Sequence, residues 1–75
     1  MTLESTSWQE VNGKDVYLID LLKNNLPTKR AEIKAALMGK HIIVDTRPVE
    51  VIGIEMFATP EDADHKQIGL MVKML

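Results

Sequence analysis

Residues 14–26 read Lys14-Asp15-Val16-Tyr17-Leu18-Ile19-Asp20-Leu21-Leu22-Lys23-Asn24-Asn25-Leu26, and their reading sets the fold class. Upstream stands Asn12-Gly13, a pair that tolerates the two positive φ angles of a type I′ turn. Ser7-Trp8-Gln9-Glu10-Val11 before it alternates polar and apolar, so a hairpin of about residues 6–11 and 14–17 is expected. Leu18, Leu21, Leu22 and Leu26 then recur at helical spacing, with Asp20, Lys23 and Asn24 between them. That stripe predicts a short helix, ended near Asn25 because Pro27 disfavours helical geometry in the residue before it.

A second helix is expected from Thr28, a good N-cap, to Gly39, placed where a C′ glycine ends a helix. Ile33, Ala36 and Leu37 form its apolar face, and Lys29, Arg30, Glu32 and Lys34 its polar one. Beyond His41 the pattern turns to β. Ile42-Ile43-Val44 is a β-branched run, Asp45-Thr46-Arg47-Pro48 a turn, and residues 49–57 a strand whose alternation breaks at Ile52. A bulge at Gly53 restores it, bringing Val49, Val51, Ile54 and Met56 to one face. Residues 59–66 read as an acidic loop or a single helical turn. Residues 67–74 read as a half-buried strand with Ile68, Leu70, Val72 and Met74 inward. The expected order is ββααβββ: one α+β domain over residues 1–75, with a small antiparallel sheet, two short helices on one face and residues 1–5 as an arm.

The 75 residues contain no Cys, which removes disulfides, thiolate metal sites and thiol catalysis. No stretch has the ~20 apolar residues of a membrane span. The first ten residues carry Glu4 and Glu10 and no cation, unlike a secretory signal, so a cytoplasmic protein is expected. Ser5 and Ser7 are the only serines, there is no Gly-rich phosphate loop, and no catalytic constellation stands out. Asp62, Asp64 and His65 are the one spacing that suggests a minimal metal site, and they lack the further ligands of a calcium loop. No enzyme or cofactor is therefore expected and no metal ligand is assigned, with a minimal metal-binding protein kept as a further alternative.

The net charge of -2 is unevenly spread. Residues 14–47 carry +3, against -2 before them and -3 after. The segment Ile19-Asp20-Leu21-Leu22, Lys29-Arg30, Ile33, Leu37 and Ile42-x-Val44-Asp45 loosely resembles the S4 RNA-binding domain. It departs from that family at Asp45-Thr46, where the family has Asn-Gly. The resemblance implies RNA contacts at Arg30, Lys34 and Lys40, and Arg47 extends the basic set. This is the alternative reading.

The leading expectation is a protein-binding module, a small regulator or inhibitor of a larger protein. Trp8, Ile43, Phe57 and Met71 fall on the face opposite the assigned core, and an apolar surplus of that kind marks a partner surface. A C-terminal strand at the sheet edge would extend the sheet across a homo-oligomer.

Overall fold

In the computed structural model, Asn12 and Gly13 hold φ of 52° and 78°, the two positive values a type I′ turn requires. They join β2 (Ser7–Val11) to β3 (Lys14–Asp20), with Val11 opposite Lys14. The structure describes residues 1–56 and 67–75.

These residues form one six-stranded sheet and one short helix. The remaining elements are β1 (Thr2–Leu3), α1 (Arg30–Leu37), β4 (His41–Val44), β5 (Arg47–Met56) and β6 (Gln67–Met74). Strand order across the sheet is β1-β4-β5-β6-β3-β2. All neighbours are antiparallel except β1 and β4. The two outermost strands, β1 and β2, are consecutive in the chain and only residues 4–6 separate them. So short a link can join both edges only if the sheet curls round on itself, since each residue spans at most ~3.6 Å. The amide of Asp45 bonds to the Leu3 carbonyl on one side of the seam, and that of Thr6 to the Leu18 carbonyl on the other. Residues 1–5, read as an arm, thus supply Leu3, 1% exposed, to the core.

The expected two-helix α+β fold is replaced by a mostly-sheet domain with a single helix among the described residues. The error lies in residues 18–26. Leu18, Ile19 and Asp20 continue β3 and pair with Gly69, Ile68 and Gln67 of β6. Val16-Tyr17-Leu18-Ile19 is a run of residues that suit a pleated surface, and pairing with β6, joined by β2 as far as Leu18, outweighs the leucine spacing. Leu21 and Leu26 still reach the core, but through a single turn. Asp20 begins that turn by accepting the Lys23 amide at 3.1 Å. It closes with Leu26 N–H on the Leu21 carbonyl and Asn25 at φ 55°.

The second helix forms, but starts at Arg30, with Lys29 rather than Thr28 at its N-cap and no side-chain cap. Its buried residues are Ile33 and Leu37, and Gly39 at φ 73° ends it. Asp45 and Thr46 alone make the next turn, both at positive φ, and Arg47 and Pro48 already belong to β5. The β5 bulge lies where the broken alternation placed it: Val51 faces Val72, Gly53 faces Met71, and Ile52 is the extra residue. Val49 and Val51 are core and Ile54 packs against it. β6 spans the expected residues, yet it is interior, between β5 and β3. The expected edge role of the C-terminal strand is therefore corrected.

The core is one cluster inside the curl. Tyr17, Ile19, Ile68, Leu70, Val72, Val49, Val51, Ile42 and Val44 line its wall, and Leu3, Leu21, Leu26, Ile33 and Leu37 fill and cover it.

Candidate functional site

The hairpin of β2 and β3 leaves one ladder unmade. In a two-residue hairpin the pair next to the turn exchanges both hydrogen bonds, and bonded pairs recur at every second residue. Val11–Lys14, Gln9–Val16 and Ser7–Leu18 are therefore the bonded pairs. Trp8 and Glu10 then direct their backbone N–H and C=O groups away from β3. No strand pairs with that outer side of β2 among the described residues, and all five β2 residues are exposed.

At the base of this edge stands the turn between β4 and β5. The Ser5 amide donates to Asp45 Oδ1 at 2.8 Å, and the Ser5 hydroxyl to Asp45 Oδ2. Both oxygens of this carboxylate are thus engaged, and the turn is fastened to the chain just before β2. Trp8, Tyr17, Asp45 and Arg47 line an open concavity of about 240 Å³ at this place. Trp8 is 51% exposed, and its indole N–H donates to Asp15 Oδ1 at 3.2 Å. Arg47 is exposed and forms no ion pair with a described residue.

Tyr17 differs from its neighbours. It is 2% exposed and its hydroxyl has no hydrogen-bond partner among the described residues. A buried hydroxyl left unpaired costs about 1–3 kcal/mol. An acceptor supplied at the concavity that Tyr17 lines would remove that cost.

The sequence-derived partner residues are not brought together. Trp8 pairs with Tyr17, which pairs with Leu70, so Trp8 lies on the core side of the sheet. Met71 pairs with Val16 and Gly53 on the opposite side, where it is half-buried. Ile43, 40% exposed, is across β4 beside Pro48. Phe57 lies outside the described residues. Among the described residues, Trp8 is thus the one member of the set found in the concavity.

The basic set divides as well. Arg30 and Lys34 are exposed on α1 and Lys40 follows it, while Arg47 belongs to the concavity. The two-helix order that carried the S4 resemblance is absent. Asp62, Asp64 and His65 lie outside the described residues. Among the described residues no cluster of three metal-ligating side chains occurs, and no helix is long and apolar enough to cross a membrane.

Two features of the site escaped sequence reading. Tyr17 reads as an ordinary strand residue and Asp45 as a turn former; the hairpin sets Tyr17 beside Trp8, the turn sets Asp45 near Arg47, and only the curl of the sheet brings the two pairs together. The Asn12-Gly13 hairpin was the available signal for the open edge, because it fixes which β2 residues face outward. Comparisons with protein-family models, with curated proteins and with solved structures find no match.

Proposed function

We propose that this chain is a non-enzymatic protein-binding module that takes an extended segment of a larger protein alongside β2, and acts as a small regulator of that protein. The observation that supports this reading is the outer edge of β2. Five exposed residues offer unpaired backbone donors and acceptors at Trp8 and Glu10, and Trp8 supplies apolar area beside them. Strand addition draws its affinity from such main-chain groups and its selectivity from pockets next to them.

The test uses an array of random nonapeptides probed with the labelled protein. Binders are expected to be rich in β-branched residues. Glu10→Pro removes an outward donor and leaves the bonds of Ser7, Gln9 and Val11 to β3 intact, so it should weaken binding about tenfold or more. Hydrogen exchange gives a reading that needs no substitution: the Trp8 and Glu10 amides should become protected when peptide binds. Binding with no protection at these two amides would exclude the β2 edge.

A further inference from the structure

On the reading that β2 takes an extended segment, we infer that this segment lies antiparallel to β2 and ends at its base, with its C-terminal carboxylate in the concavity of Trp8, Tyr17, Asp45 and Arg47. The first reason is steric. Ser5 is already bonded to Asp45, so the β4–β5 turn occupies the edge just before β2. A strand lying beside Trp8 and Glu10 must end or turn aside there. β2 runs away from that turn, from Ser7 to Val11, so an antiparallel strand runs toward it and arrives by its C-terminus. A second copy of β2 fits badly. Reciprocal pairing about Gln9 would put its Asn12-Gly13 turn opposite Thr6 and Ser5, where Asp45 already stands.

The second reason is electrostatic. Arg47 is a guanidinium with no carboxylate partner among the described residues. Among the described residues the one carboxylate lining the concavity, on Asp45, has both oxygens engaged by Ser5. Asp45 keeps its charge but already accepts two Ser5 donors, whereas the Arg47 fork has its N–H donors still to place, and a chain carboxylate is the group whose geometry suits it. The third reason is the Tyr17 hydroxyl, a buried donor without an acceptor among the described residues. A carboxylate has lone pairs enough for Arg47 and Tyr17 together. Trp8 forms the exposed apolar wall against which the last side chain of the segment packs.

The experiment presents the random nonapeptides in three forms: anchored by the N-terminus with a free carboxylate, the same peptides as C-terminal amides, and peptides anchored by the C-terminus. Affinities of selected free-carboxylate peptides are then measured in solution by calorimetry. Binding confined to the free-carboxylate form is expected, with a loss of about tenfold or more on amidation, on Arg47→Gln and on Tyr17→Phe. Arg47→Lys should recover part of the loss, because charge is restored without the fork. Equal binding of amide and carboxylate, with Trp8 and Glu10 amides protected, overturns this inference alone and leaves strand addition standing. Binding that leaves those amides unprotected overturns both readings, as does failure of every form to bind.

Discussion

A Cβ added to Gly53 would fall 2.6 Å from Cε of Met71, its partner across the β5–β6 ladder. The terminal methyl of Met71 thus occupies the space a side chain at Gly53 would use. The bulge at Ile52 brings these two residues opposite each other, so one glycine answers both the register shift and the packing of the outer sheet face.

Gly53→Ala should cost little, because the obstructing atom is the free end of a flexible side chain and alanine suits a strand better than glycine. A stability within about 1 kcal/mol of the parent is expected by urea unfolding. Gly39→Ala should cost more. Nothing crowds a Cβ at Gly39, but its φ of 73° is strained for any side chain, at about 1–2 kcal/mol. Equal losses at the two sites would show that the Met71 contact at Gly53 costs as much as the strained φ at Gly39.

Leu3→Ala should destabilise by about 2–5 kcal/mol, the range for a fully buried leucine. A terminal arm would lose nothing. Chemical denaturation separates these outcomes directly, and hydrogen exchange at Ile43 and Asp45, which bond to Met1 and Leu3, should quicken in the variant.

Tyr17→Phe should leave the free protein as stable as the parent or about 1 kcal/mol more stable, since it deletes a buried hydroxyl with no described partner. The same substitution is expected to weaken peptide binding. A thermal melt and a calorimetric titration on one sample therefore move in opposite senses. A destabilised, binding-competent variant would mean the hydroxyl has a structural partner.

Asp45→Asn should loosen the seam. Asparagine keeps one acceptor for the Ser5 amide or hydroxyl but loses the charge that strengthens both bonds. A loss of about 1–2 kcal/mol is expected by urea unfolding, with faster exchange of the Ser5 amide. No change in either quantity would mean the turn is held by the β1–β4 pairing alone.

Local rules were sufficient where a single element decided its own conformation. Asn12-Gly13 located the first hairpin, Gly39 the helix end, and the interrupted alternation around Ile52 the bulge. They failed where the outcome depended on a distant strand. Leu18-Ile19-Asp20 carries helical spacing with Leu21 and Leu22, and only pairing with Gly69, Ile68 and Gln67 makes it strand. The concavity was illegible for the same reason. Tyr17 and Arg47 are thirty residues apart in the chain and meet through the curl, which no local period encodes.

The interior place of β6 bears on how the chain acquires its fold. Before β6 is available, the β2–β3 hairpin and the β4–β5 hairpin can each close locally, but nothing joins them except the β1 clasp and the helix connection. The last strand in chain order must slide between β3 and β5 and make both ladders together. Such late, long-range pairing is slow compared with hairpin closure. During the delay two apolar strand flanks, along Tyr17–Ile19 and Val49–Val51, stand open to any extended chain nearby. The vulnerable moment for mispairing is thus the interval before β6 docks, and the native edge at β2 is not the surface then at risk.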